Sequence, residues 1–177
     1  MKKIIIFGVS LGCLGLVVFS QVLKPIKWKV NLSDNSLKAG DEIVLSFEAE
    51  IDNDWYLYSS DFDSELGPMI TEFNFDVDGS FELIGKIKPI NPKKKYDSLW
   101  EGEYTYFKKK GLFRQKIKIL KDDFTIAGSY FYQVCSVIDG KCIPFEDEFS
   151  FVSDQMQTMI IDDDLTQRDG SSWTSLI

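Results

Sequence analysis

The chain has 177 residues, with 28 acidic against 20 basic side chains and no histidine. The net charge of −8 argues against nucleic acid or an anionic membrane surface as a partner. Without histidine, Ser-His-Asp and Cys-His nucleophilic sites are excluded and the commonest metal ligand is missing. No glycine-rich phosphate loop lies between a strand and a helix, so we expect neither a cofactor nor a metal.

The first twenty residues predict a signal peptide. Lys2 and Lys3 precede an uncharged apolar run over residues 4–19, which is shorter than the ~20 residues of a membrane-spanning helix. We expect cleavage before Gln21 and export of the rest. A lipoprotein would use Cys13, but the bulky Leu11 stands where a small residue is expected. Cleavage removes Cys13 and leaves two cysteines in an oxidising compartment.

Residues 21–151 predict one all-β domain. Apolar and polar side chains alternate with the period of a strand, and turn signals such as Asp78-Gly79 and Asp139-Gly140 separate the alternating segments. The strand candidates are residues 28–32, 42–51, 55–59, 70–75, 81–87, 104–109, 113–120, 129–135 and 145–151. Short strands at this spacing predict an immunoglobulin-like β-sandwich.

Two lysine runs and the C-terminal segment lack this alternation. Residues 93–95 and 108–110 are all lysine, which we interpret as exposed loop and turn charge. Residues 152–177 are rich in aspartate and predict a disordered acidic tail or linker.

Cys135 and Cys142 stand on the two sides of the Asp139-Gly140 turn and can form a disulfide across it. Such a bridge closes a short loop, so the chain-entropy model gives it only roughly 2.5 kcal/mol of stabilisation. Two thiols alone cannot complete a structural zinc site. The residues leave two interpretations open, a structural staple of an exported hairpin and a redox-active pair.

Three motifs resemble the N-terminal periplasmic domain of the thiol:disulfide interchange protein DsbD, of the disulfide reductase and cytochrome c biogenesis family. The first motif runs from Tyr132-Gln133-x-Cys135 to Cys142-x-Pro144, although Phe145 stands where a second proline is usual. The second is residues 54–59, Asp-Trp-Tyr-Leu-Tyr-Ser, with a tyrosine where histidine is common. The third is residues 96–102, Tyr-Asp-Ser-Leu-Trp-Glu-Gly. The resemblance covers about residues 25–151 and implies an immunoglobulin-like fold.

The resemblance also implies roles for individual residues. Cys135 and Cys142 would be the catalytic pair, and Cys142 the sulfur that partners reach. Trp100 would be a cap over the disulfide; ordinary core packing is the alternative. Tyr56 and Tyr58 would lie near the site, although packing within a strand explains them equally well. 

Local charges at the site oppose one another. Lys141, beside the second cysteine, favours a thiolate, whereas Asp139 and Glu146 oppose it. With no histidine present, we expect thiol reactivity to depend mainly on access to the sulfur atoms.

By resemblance, the domain would be a periplasmic component of a protein-disulfide reductase. Its electron donor would be a thioredoxin-like domain or protein, and its acceptors oxidised periplasmic thiol proteins. Full-length relatives continue into a transmembrane domain and a thioredoxin-like domain, so the chain would be a truncated or split member, or a stand-alone carrier that works with a transmembrane DsbD-type domain in trans. The alternative is an exported immunoglobulin-like binding module for protein or glycan, whose disulfide is purely structural.

Overall fold

The computed structural model describes residues 23–34 and 36–153. The predicted signal peptide, Cys13 and nearly all of the predicted acidic tail lie outside the described residues. Within them, ten strands are connected by turns and by one short 3-10 helix, Ser64–Leu66. The strands are β1 Ile26–Leu32, β2 Glu42–Ile51, β3 Trp55–Tyr58, β4 Glu72–Phe75, β5 Phe81–Pro89, β6 Lys93–Asp97, β7 Gly102–Phe107, β8 Lys110–Ile119, β9 Thr125–Ser136 and β10 Cys142–Val152.

The strands form two antiparallel sheets, which confirms the predicted all-β, immunoglobulin-like sandwich. One sheet has the order β1-β2-β8-β5. The larger sheet has the order β10-β9-β3-β7-β6, and β4 also pairs with β9. Since β10 pairs with β9 along its whole length, β3 and β4 lie end to end on the other side of β9.

The main core is the apolar layer between the two sheets. Strand β2 shows how it forms: its alternate residues Ile43, Leu45, Phe47 and Ala49 are buried, because successive side chains of a strand point to opposite faces. The ring of Phe47 lies in the middle of this layer, and its neighbours across the core are Phe73, Tyr130 and Phe149, with ring centroids 4.6, 5.5 and 5.1 Å away.

The first lysine run is exposed, as interpreted, but its assignment to a loop was wrong. Residues 93–95 are not a loop but the start of β6, which pairs with β7 at one edge of the larger sheet. Exposed lysines on an edge strand discourage pairing with another chain, so the strand has no apolar alternation to reveal it. The second run does form a turn, in which Lys109 has a left-handed backbone with φ 66°. No helix in residues 23–34 and 36–153 is long and apolar enough to cross a membrane.

Candidate functional site

The two cysteines face each other on adjacent strands. Cys135 of β9 is in register with Cys142 of β10, their Cα atoms are 4.1 Å apart, and the sulfurs form a disulfide. The connecting turn is closed by two backbone hydrogen bonds, from Ser136 N to Lys141 O (2.9 Å) and from Gly140 N to Ser136 O (3.1 Å). Gly140 has φ 69°, a left-handed conformation that glycine adopts without strain. The hairpin therefore fixes the two sulfurs side by side.

The two cysteines differ in exposure. Cys135 is 0% exposed: its strand β9 lies between β3 and β10, and its side chain packs in a cluster with Tyr58 and Tyr104. Cys142 is the first residue of the edge strand β10 and is exposed. A nucleophile from solvent can therefore reach the sulfur of Cys142, while Cys135 is screened by its neighbours.

Tyrosines of β3 lie next to the buried cysteine. Tyr56 is in register with Cys135, and Tyr58 follows two residues later on the same face of the sheet. Their hydroxyl oxygens are 3.3 Å apart, within hydrogen-bonding distance. Burial raises the pKa of Tyr58 well above its usual range, and the contact with Tyr56 adds to the rise. The phenol of Tyr58 is therefore neutral at physiological pH.

Cys135 and these tyrosines belong to a second apolar group, which we call the outer cluster. It covers the face of the larger sheet that points away from the main core, since Leu57 and Val134, the neighbours of Tyr58 and Cys135 in the chain, pack into the main core instead. The buried members of the outer cluster are Tyr58, Tyr104 and Cys135, and the half-buried ones are Tyr56, Phe62, Leu66, Trp100 and Tyr106.

Trp100 lies in the outer cluster and not in the main core. It belongs to the turn between β6 and β7, residues 98–101, which we call the cap turn. Its ring packs edge-on against Tyr104, with centroids 5.9 Å apart. Tyr104 in turn packs against Tyr58, at 5.4 Å. A row of aromatic rings thus runs from Trp100 towards the residues that screen Cys135.

The connection from β3 to β4, residues 59–71, was missed by the sequence analysis. We call it the strap. Its Phe62 ring lies 6.0 Å from that of Tyr58 and 6.2 Å from that of Tyr104, so the strap covers the same tyrosines as the cap turn. The only signal in the sequence was a pair of apolar residues, Phe62 and Leu66, in a segment without strand periodicity.

The charges beside Cys142 come from the hairpin turn. The Asp139 carboxylate accepts a hydrogen bond from Lys141 N at 3.2 Å, and Asp139 N donates to the Ser136 hydroxyl oxygen at 3.4 Å. Hydrogen bonding to Ser136 and then to the Lys141 backbone lowers the pKa of Asp139. The turn therefore carries one negative charge, Asp139, three residues before Cys142 and one positive charge, Lys141, directly before it. Residues 23–34 and 36–153 contain no group of three or more acidic or cysteine side chains placed to hold a metal ion.

The chain matches one family of known proteins. Residues 27–154 match the model of the N-terminal domain of thiol:disulfide interchange protein DsbD. No curated protein matches the chain.

Among solved structures, the chain is similar to the reduced N-terminal domain of DsbD from Neisseria meningitidis, with 18% identity and a TM-score of 0.44 over 64% of this chain and 78% of that one. It is also similar to the N-terminal periplasmic domain of ScsB from Proteus mirabilis, with 14% identity and a TM-score of 0.45 over 73% of this chain. The match spans 46% of the ScsB chain.

Proposed function

The chain belongs to the family of the N-terminal domain of thiol:disulfide interchange protein DsbD, and we propose that it carries electrons between proteins through Cys135 and Cys142. Family membership and the disulfide together support a thiol–disulfide exchange domain. The observation on which the direction of attack depends is the difference in exposure between the two sulfurs: Cys142 is open to solvent and Cys135 is buried.

The exchange proceeds in two displacements. A thiolate of the reduced donor attacks Sγ of Cys142; the Cys135–Cys142 bond breaks, and Cys135 leaves with the electron pair and is protonated. The second thiol of the donor then attacks the mixed disulfide and releases Cys142, so that the donor ends as a disulfide and this domain as a dithiol. The same steps in reverse reduce an oxidised acceptor.

The outer cluster limits where the attack occurs. Tyr56 and Tyr58 border Cys135 directly, and the cap turn adds Trp100 to the same group of rings. We propose that this cover excludes small reagents from Cys135 and leaves Cys142 to a docking protein, with Trp100 as the cap and Tyr56 and Tyr58 as near-site residues. The proposal places the domain in the periplasm, with a thioredoxin-like protein as donor and oxidised periplasmic thiol proteins as acceptors.

Reduction by a protein dithiol tests the function. The oxidised chain is incubated with reduced thioredoxin, precipitated with acid, redissolved in urea with iodoacetamide so that both cysteines are accessible, and weighed by mass spectrometry. We expect alkylation of both Cys135 and Cys142 within minutes. A Cys135→Ala variant whose Cys142 is first converted to a mixed disulfide with thionitrobenzoate should react with a thioredoxin that lacks its resolving cysteine, releasing thionitrobenzoate and leaving a stable protein–protein disulfide. A Cys142→Ala variant treated in the same way should form much less. A bridge that stays closed under excess reduced thioredoxin would overturn the proposal in favour of a structural disulfide.

A further inference from the structure

The strap is attached to the larger sheet at both of its ends. Thr71 N donates to Ser59 O at 3.0 Å, so the loop begins and ends at one point. Ser59 N donates to Thr105 O at 2.9 Å, and the Thr105 hydroxyl hydrogen-bonds to the carboxylate of Asp61. Surface loops with adjacent ends and internal packing are frequently functional. This one is fixed to β7, the strand that follows the cap turn.

The strap and the cap turn interlock through two glycines. A Cβ atom at Gly67 of the strap would lie 2.9 Å from Nε1 of Trp100, so the indole ring rests against bare backbone. A Cβ atom at Gly102, the first residue of β7 directly after the cap turn, would overlap Cδ1 of Leu66. The cap turn therefore places Trp100 on a glycine of the strap, and the strap places Leu66 on the glycine that follows the cap turn. Packing this close transmits strain, so a shift of one loop disturbs the other.

We propose that the strap is the latch of the cap turn, and that Leu66 and Gly67 are positioning residues that hold Trp100 in place over the outer cluster. The latch acts on Cys135, whose sulfur belongs to that cluster, and leaves the exposed Cys142 unaffected. This inference rests on the proposed function of the site. It assigns part of the control of access to Cys135 to residues 59–71. A strap that only fills space would stabilise the fold without selecting between the two sulfurs.

The test compares the two thiols of the reduced protein. The full chain is reduced, freed of reductant and treated with iodoacetamide, and the alkylation of Cys135 and Cys142 is followed separately on their peptides. In Leu66→Ala we expect Cys135 to react about fivefold faster, because the open population of the cap turn rises. The rate at Cys142 should stay within a factor of about two, which makes it an internal control.

Leu99→Ala is the matched control. Leu99 lies in the same cap turn but is 82% exposed and makes no part of the outer cluster, so the same deletion there should leave both rates unchanged. If Leu66→Ala lowers the melting temperature strongly, Leu66→Met provides a conservative variant that should restore the wild-type rate at Cys135.

Double variants separate a latch from independent packing. If Leu66 acts through Trp100, Leu66→Ala adds nothing to the rate at Cys135 once Trp100→Ala is present. Gly102→Ala should also expose Cys135, since the new methyl group displaces Leu66, but it should have no further effect in the Leu66→Ala background. Additive effects in both pairs would overturn the latch.

The outcomes also separate the inference from the function beneath it. Suppose that the alkylation rate of Cys135 is unchanged in Leu66→Ala and Gly102→Ala but raised in Trp100→Ala. That result overturns only the role of the strap as a latch. Unchanged alkylation rates in all three variants also overturn the assignment of Trp100 as a cap. If reduced thioredoxin cannot reduce the disulfide of the wild-type protein, the proposed exchange function is wrong, whatever the alkylation rates are.

Discussion

The main core and the outer cluster lie on opposite faces of the same sheet and are built differently. The main core is made mainly of Phe, Ile and Leu side chains that alternate along β-strands. The outer cluster contains four tyrosines, and its Phe62, Leu66 and Trp100 come from loops. The first region buries large apolar side chains between two sheets, whereas the second is a group of mostly half-buried rings that includes Cys135.

This difference separates stability from reactivity. Burial of apolar area in the main core supplies most of the free energy of folding. The outer-cluster residues that lie outside the strands, Phe62, Leu66 and Trp100, are only half-buried, and segments with few buried contacts open locally without unfolding the whole domain. We therefore expect substitutions in the main core to change the stability of the domain, and substitutions in the outer cluster to change the access to Cys135.

The largest expected effect is on stability. Phe47→Ala removes a fully buried ring and should lower the free energy of unfolding by about 3–5 kcal/mol, measured by urea denaturation. The relative alkylation rates of Cys135 and Cys142 in the folded fraction should be unchanged. A marked rise at Cys135 alone would show that the two regions are coupled and would contradict the separation.

Loss of the disulfide should have a smaller effect. The Cys135→Ala, Cys142→Ala double variant should be less stable than the oxidised protein by about 2.5 kcal/mol, the chain-entropy value for so short a loop. It should keep the circular dichroism spectrum of the wild type, because the β9–β10 ladder continues for many residues beyond the bridge. Unfolding of this variant under native conditions would favour the structural staple.

Removal of Trp100, the proposed cap residue, should change access to the cysteines more than stability. Trp100→Ala should speed the reaction of the reduced pair with a small oxidant by about fivefold, equivalent to about 1 kcal/mol of lost ring contact. Its free energy of unfolding should fall by less than that of Phe47→Ala. Trp28→Phe is a useful control, since Trp28 packs on Phe113 and Tyr130 at the main core. An unchanged oxidation rate in Trp100→Ala would remove the cap assignment.

Charge changes in the hairpin turn should have the smallest effects. Asp139→Asn should raise the alkylation rate of Cys142 at neutral pH by about twofold, because a nearby negative charge disfavours the thiolate, and Lys141→Gln should lower it to a similar extent. Both effects should weaken at high salt. Changes in the same direction in both variants would contradict an electrostatic origin.

The pH dependence of stability offers a further check on Asp139. Because folding lowers the pKa of this carboxyl, its stabilising contribution is present above the ordinary pKa and is lost as the pH falls through the lower folded value. Asp139→Asn should therefore show less loss of stability in acid than the wild type, in urea titrations across that range. An identical acid limb in both proteins would exclude a contribution from this turn.

The sequence predicted the main core better than the outer cluster. Strand β2 was predicted with its observed bounds, because strict alternation over residues 42–51 reports burial directly. The cysteine hairpin was also predicted, since its turn and both cysteines are close in the chain. Strand β6 was missed because its edge position needs no apolar residue.

The strap could not be found in the same way. Its contacts join Leu66 to Gly102 and Gly67 to Trp100, residues more than thirty positions apart, and no periodic pattern marks either partner. The exposure of each cysteine was likewise set by strand order, which places Cys142 at an edge and Cys135 inside the sheet. Such properties depend on pairing between distant segments and are not visible in any local window.

The register between β9 and β10 affects how fast a partner protein is released from a mixed disulfide with Cys142. The backbone ladder holds Cys135 opposite Cys142. When a protein is joined to Cys142 by a mixed disulfide, the free thiol of Cys135 therefore stays next to that bond. The effective concentration of the Cys135 thiol at the mixed disulfide is high, so its attack on that bond is intramolecular and needs no diffusional step. A short-lived covalent complex fits the proposed role of an electron carrier between proteins.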